Sequence, residues 1–251
     1  MLFRSIEQEF LWIDENAVII EDFYKDAELQ EGLRESIGST LSGTGAALQA
    51  RIKRDKRQRV KMAKDEPLLK MYLKDTKQEL RNLLNIGKNI VIEGTQGYGL
   101  SNYHSKCYPY ATSRDTTAAG FLAETGLSPL DVTHVIMVIR TFPIRVAGES
   151  GPLEQEIDWG IVSKESGAKN YFEEKTSVTQ NVRRVARFDA SAVKAAIQAN
   201  NPNVIVLNHM DYIDYNNNII EAEDEVCRFA GLINVLWYYC SDAERERRKT
   251  P

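Results

Sequence analysis

The sequence predicts an α/β protein whose core is a mostly parallel sheet with helices on both faces. Two observations carry this reading. First, short β-branched runs recur at residues 89–92, 134–139, 203–207 and 233–237, with the length and composition of buried strands. Second, the stretches between them carry helical rather than alternating patterns, and strands separated by helices imply parallel pairing.

In chain order, residues 64–86 place apolar groups at Leu69, Leu73, Leu80, Leu83 and Leu84 with charges between them, which predicts one long amphipathic helix. The strand predicted at 89–92 follows. Residues 117–124 read as a helix ended by Gly126, a residue suited to the left-handed C-cap. The second strand is placed at 134–139. Asp189 is positioned to cap a helix running through Val193, Ala196 and Ile197 to Asn200. The remaining strands lie at 203–207 and 233–237. The Gly/Ser-rich loops at 36–45 and 147–152 are too short for linkers, so residues 1–251 are expected to form a single domain, with a charged, frayed end at 242–251.

Composition narrows the class. Hydrophobic residues make up 43% and charged residues 27%, ordinary for a globular chain, and a formal net charge of -4 gives no reason to expect a polyanionic partner. The 3 cysteines (Cys107, Cys227, Cys240) have neither CxxC nor zinc-site spacing. That argues for reduced thiols and a cytoplasmic protein. Acidic residues interrupt the first sixteen positions where a signal peptide needs an apolar run, and no stretch has the length to span a bilayer.

Several segments can carry chemistry. Residues 93–99, Glu-Gly-Thr-Gln-Gly-Tyr-Gly, follow a predicted strand, where ligands bind in open α/β sheets. There Gln96 can donate to and accept from a purine edge; the alternative is a tight turn with an exposed Gln. Residues 108–117, Tyr-Pro-Tyr-Ala-Thr-Ser-Arg-Asp-Thr-Thr, put hydroxyls ahead of a helix, fit either for a phosphate or for simple N-capping. Residues 37–45 repeat that pattern. The basic run at 51–64 has no interleaved aromatics, which argues for a solvated helix face or a phosphate lid over a nucleic-acid site. Arg183 and Arg184 suit bidentate contact with carboxylate or phosphate, or else a surface ion pair. Asp211 follows an apolar strand and can accept from the N1 and N2 donors of guanine, or serve as a turn residue. No GxxxxGKS/T, HExxH or GxSxG occurs, and His104, His134 and His209 lack metal-ligand spacing.

Taken in order, IGST, EGTQG, YPYATSRDTTA, IRVAGESGP, VRRVARFD and LNHMD resemble the succession of motifs in the adenylosuccinate synthetase family over about residues 36–215. The details TSRD, FPIRV and TQNVRRV resemble its phage-associated 2-aminoadenylosuccinate synthetase branch, which uses deoxyguanylate (dGMP) instead of inosinate (IMP). The resemblance implies a P-loop-like fold of that family lacking its N-terminal part. It implies purine nucleotide biosynthesis by a ligase. The γ-phosphate of GTP moves to the purine 6-oxygen, and the amine of L-aspartate then displaces it. It further implies that Gln96 holds the purine and acts in catalysis. Thr40 and Thr112 would bind the 5′-phosphate, and Arg54 would reach that phosphate across a homodimer interface. Val146 would lie against the ribose, Thr179 and Arg183 would bind aspartate, and Arg183 and Asp211 would bind GTP. Mg2+ is implied as cofactor, with its usual ligands in the family's N-terminal segment.

The family's GDEGKG-like loop, with the aspartate that deprotonates the purine, has no counterpart here. Phosphoryl transfer depends on positioning and charge neutralisation at that centre. A truncated sequence, or a separate polypeptide carrying the P-loop, would account for this, and both predict exposed apolar residues beside a sheet edge. A catalytically inactive nucleotide-binding module is the alternative. Asn181 replaces the first arginine of the family's run, which suits a deoxyribonucleotide. His209 stands where a lysine is usual, leaving GTP against ATP open, as IMP against dGMP is.

Overall fold

A computed structural model describes residues 11–57, 59–176 and 180–214 and the backbone of 236–240. In chain order the elements are β1 (Ile13–Asp14), α1 (Asp22–Gln30), α2 (Leu33–Ile37), α3 (Thr44–Lys53), β2 (Leu73–Lys74), α4 (Thr76–Asn85) and α5 (Ala118–Thr125). There follow β3 (Ile136–Arg140), β4 (Ile144–Arg145), β5 (Glu156–Ile157), α6 (Trp159–Glu165), β6 (Arg184–Ala186), α7 (Ala190–Asn200), β7 (Val204–Asn208) and β8 (Leu236–Cys240). Within what the sequence reads as one domain, these gather into two compact units, residues 1–131 and 132–251.

In the first unit, β1 and β2 pair in parallel, Ile13 opposite Leu73 and Asp14 opposite Lys74. The α1 helix is fastened to the start of α3 by Glu28, which is 4% exposed. Its carboxylate accepts from the backbone N–H groups of Gly43 (2.8 Å), Gly45 (2.9 Å) and Ala46 (3.2 Å). Those amides would otherwise be the orphan donors of a helix N-terminus.

Two expectations are corrected in this unit. The single helix predicted over 64–86 is instead a pair of 3-10 turns at Ala63–Asp65 and Pro67–Tyr72, then β2, then α4. Pro67 has no N–H to donate and sits at the start of a turn. Leu73 and Lys74 are drawn out to pair with β1, and the Asp75 carboxylate accepts from Gln78 N at 3.1 Å to start α4 afresh. The strand predicted at 89–92 is absent: the segment has strand composition but no ladder partner among the described residues, and Val91 is 87% exposed. The α5 helix matches expectation, capped by the Thr117 hydroxyl accepting from Gly120 N at 3.1 Å and ended by Gly126 at φ 70°.

The second unit contains a parallel three-stranded sheet in the order β3-β7-β8. Its register runs from Ile136 opposite Val204 to Arg140 opposite Asn208, and from Val204 opposite Leu236 to Asn208 opposite Cys240. The strand predicted at 233–237 is therefore found at Leu236–Cys240; residues 233–235 lie outside the described set. One face of the sheet buries Ile139, Ile205 and Leu207 with Met210, and Met137, Val193 and Ile197 pack against them. On β3 the opposite face leaves Ile136 57% and Val138 60% exposed. A second sheet, antiparallel in the order β4-β6-β5, was not anticipated. It lies over the cluster of Phe142, Trp159, Val162, Val185 and Tyr212. Among the described residues no helix is long and apolar enough to cross a membrane.

Candidate functional site

In the first unit, Gln96 sits in the loop before the short turn Tyr98–Leu100, exposed and at φ 61°. Its Oε1 accepts from the Thr95 hydroxyl at 2.8 Å. Two bonds draw the loop that carries Thr112 against it. Thr112 N donates to Leu100 O at 2.8 Å, and the Thr116 hydroxyl donates to Gly97 O at 2.9 Å.

Asp115 organises the rest, accepting from the hydroxyls of Ser101 (2.8 Å) and Thr117 (2.5 Å). Burial pushes the Asp115 carboxyl up, but the hydroxyls of Thr117 and Ser101 outweigh it and leave it below the usual carboxylate range. Gly94 is required for space: a Cβ there would meet the Phe121 ring of α5 at 2.1 Å. A cavity of about 290 Å³ opens beside this loop, bounded by Ile92, Glu93, Thr95, Arg114 and Phe121.

Thr40 is exposed in the turn before α3. The N-terminus of that helix approaches the loop of Thr112: a Cβ on Gly45 would lie 3.5 Å from Ser113 Cβ. The structure thus brings Gln96, Thr112 and the start of α3 into one neighbourhood. The backbone amides of α3 itself are already taken by Glu28, so that helix end is not an open phosphate cradle. Arg54 ends α3 in the left-handed region, at φ 51°, with its side chain exposed and Nε donating to Ile52 O at 3.3 Å.

In the second unit, Asp211 follows the carboxyl end of β7 and Arg183 is tied through Glu174 to Arg140 at the carboxyl end of β3, where parallel sheets bind ligands. Val146 follows β4, half-buried, its carbonyl accepting from the Ser150 hydroxyl at 2.6 Å. Thr179 lies outside the described residues. Asp211 sits in the turn Met210–Tyr212 directly after β7. That turn is anchored through His209, which is 7% exposed and adopts φ 60°. The His209 carbonyl accepts from the Thr141 hydroxyl at 2.7 Å, and its Nε2 lies 2.7 Å from Arg140 Nη1. An arginine can only donate, so Nε2 accepts and the ring proton sits on Nδ1.

The adjacent arginines divide the two readings between them. Arg184 forms the bidentate ion pair, with Nε and Nη2 on Glu156 at 2.8 and 2.6 Å and Nη1 on Gly151 O at 2.7 Å. Arg183 is fixed differently. Its N–H donates to Glu174 O at 2.8 Å, its carbonyl accepts from Trp159 Nε1 at 2.7 Å, and its Nε lies 3.1 Å from Glu174 Oε1. No described residue accepts from its terminal amino groups, so they present an open fork of the kind that grips a carboxylate or phosphate.

Glu174 and Arg140 were missed from the sequence. Glu174 Oε2 receives Arg140 Nη2 at 2.5 Å and the Tyr212 hydroxyl at 3.3 Å. Sequence distance hides the first of these pairs, whose partners are 34 positions apart.

Fold and site together define an α/β protein with an arginine, tied through Glu174 to the carboxyl end of β3, whose terminal amino groups meet no described acceptor. The chain belongs to the adenylosuccinate synthetase family, whose profile matches residues 61–222. The Methanocaldococcus jannaschii adenylosuccinate synthetase is 39% identical over 208 residues, 82% of this chain and 57% of that protein. The Methanococcus vannielii enzyme is 36% identical over 222 residues, 85% of this chain and 62% of its own length. Among solved structures, the cyanophage S-2L succinoaminodeoxyadenylate synthetase, bound to dGMP and to dATP as an energy donor, superposes with TM-score 0.73 at 30% identity. That match covers 92% of this chain and 65% of the phage protein. The fully ligated Plasmodium falciparum adenylosuccinate synthetase shares the fold, with TM-score 0.66 at 19% identity. The chain therefore spans less than two thirds of the length of these relatives.

Proposed function

We propose that this chain supplies substrate-binding groups for a purine-biosynthetic ligase that joins L-aspartate to carbon 6 of a purine nucleotide. The observation that carries the reading is the open guanidinium fork of Arg183, set by Glu174 and Trp159 near the strand ends that also hold the Asp211 turn. In the reaction, a nucleoside triphosphate donates its γ-phosphoryl group to the purine 6-oxygen. The aspartate amine then attacks carbon 6 and inorganic phosphate leaves. Gln96 orients the purine, Thr40 and Thr112 take the 5′-phosphate, and Val146 lines the ribose. Arg183 binds the aspartate carboxylate and the donor nucleotide, and Asp211 reads the donor base. Thr179 assists Arg183.

The acceptor favoured here is dGMP over IMP, because a neighbour 30% identical is bound to it and because Asn181 leaves the arginine run one cation short. GTP is the family's donor and dATP the one named for that neighbour. Mg2+ would screen the phosphates. Among the described residues, however, no three His, Cys, Asp or Glu side chains converge as a cation site. Arg54, exposed at the end of α3, suits a phosphate contact across a homodimer interface, which light scattering would detect. Soluble substrates fit a cytoplasmic setting.

The test is to incubate the purified chain with Mg2+, aspartate, either acceptor and either donor, and to separate the products by chromatography. A succinyl-nucleotide that disappears with Arg183→Met and with Gln96→Ala supports a competent ligase. Nucleotide binding without product, restored to turnover by a separately expressed P-loop segment of a relative, supports a site completed by another segment. Binding that no added segment converts to turnover supports the inactive binding module. Absence of both binding and product removes the reading.

A further inference from the structure

Glu174 draws together groups from three other stretches of the second unit. Its Oε2 accepts from Arg140 Nη2 at the end of β3 and from the Tyr212 hydroxyl in the turn after β7. Its Oε1 lies 3.1 Å from Arg183 Nε, close enough for ion pairing but off the line of the N–H. The side chains of Arg140, Glu174 and Arg183 are 25%, 21% and 26% exposed, so the interaction is only partly screened by water. Arg140 extends the chain of contacts to His209 Nε2 at 2.7 Å, and His209 packs against Tyr212 with ring centroids 4.7 Å apart. One carboxylate therefore restrains both the anion-gripping fork of Arg183 and the turn that holds Asp211.

We infer that Glu174 is a positioning residue that sets Arg183 and the 209–212 turn in fixed register for a purine nucleoside triphosphate, the turn facing its base and the fork its phosphates. This rests on the function proposed above. A single carboxylate against two guanidiniums leaves a net positive charge, which Arg183 can offer to the ligand. Because Nε is the edge held by Glu174, the terminal amino groups are presented outward in one orientation. Holding them there lowers the ordering cost of binding, the source of affinity in a preorganised site.

The experiment compares wild type, Glu174→Gln and Glu174→Asp by titration calorimetry with Mg2+-GTP, Mg2+-dATP and, separately, dGMP, alongside thermal melts. Glutamine offers one acceptor and one donor, so it must face one of the two arginines with an amide N–H. Aspartate keeps the charge but withdraws it by one methylene. The inference expects the more tightly bound triphosphate to lose at least tenfold in affinity in Glu174→Gln and less in Glu174→Asp. The dGMP affinity, which rests mainly on Gln96, Thr40 and Thr112 of the first unit, should stay within about twofold. A melting temperature that falls with both affinities dropping together would show a merely structural anchor and overturn the inference. Unchanged triphosphate binding overturns it too, and tighter binding would mean Glu174 competes with the ligand. If wild type binds neither triphosphate, the functional reading itself fails, a result distinct from any variant effect.

Discussion

At the scale of single residues, a buried carboxylate fastens two helices of the first unit together. That carboxylate is Glu28. Three backbone N–H groups at the start of α3 converge on it, and without it these orphan donors, one buried and two half-buried, would lose their partner. Replacing it with alanine should cost about 2–3 kcal/mol of unfolding free energy, summing a lost helix cap and the desolvation of stranded amides. Glutamine retains one acceptor and should recover roughly half. Urea denaturation of the two variants checks both figures, and an unchanged midpoint for Glu28→Ala would contradict the assignment. Gln96 and Thr112 could be singled out from sequence because they lie in short local runs next to glycines or hydroxyls, and Arg183 because it is one of two adjacent arginines. Glu28, Arg140 and Glu174 could not, since their chemistry lies in partners 9 to 69 positions away that no local spacing encodes.

At the scale of elements, apolar runs became strands where a ladder partner exists and remained outside any strand where none is described. The β3 and β7 strands pair over five residues, whereas 89–92, equally β-branched, is largely exposed and has no ladder partner among the described residues. Composition alone cannot tell these cases apart, because strand formation depends on the neighbour. The antiparallel β4-β6-β5 sheet escaped prediction for the opposite reason: its strands are two or three residues long and carry arginine and glutamate. The unequal burial of β3 gives a test. Ile139 is 6% exposed within the Ile205–Leu207–Met210 cluster, while Val138 beside it is 60% exposed. Ile139→Ala should cost about 3 kcal/mol through lost burial and a residual cavity. Val138→Thr, which keeps the β-branch on an open face, should stay within about 0.5 kcal/mol. Equal losses in thermal or urea melts would mean that the outer face of β3 is covered after all.

Across the whole molecule, stability is tied to ionised carboxylates in both units, and this fixes its response to pH. The Asp131 carboxyl is held below its usual range by the Arg81 guanidinium, and Glu156 by Arg184. Asp14 is lowered chiefly by the Thr76 hydroxyl, and Glu165 by Arg187. A group whose folded pKa lies below its unfolded value binds fewer protons in the native state, so stability rises with pH across that interval. Their contribution is complete above the unfolded carboxylate values near 4 and is lost as pH falls through the lower folded values. The expected outcome is a urea midpoint that is flat from about pH 7 to 5 and then drops steadily toward pH 3. Most of these pairs are solvent-exposed, so salt should weaken the effect at neutral pH. Arg81→Met and Arg184→Met should flatten the acid limb, because without the guanidinium the folded carboxyl returns toward its unfolded value and the linkage disappears. If both variants kept the full acid slope, the pH dependence would have to come from carboxylates that neither substitution touches, Asp14, Asp115 and Glu165 among them.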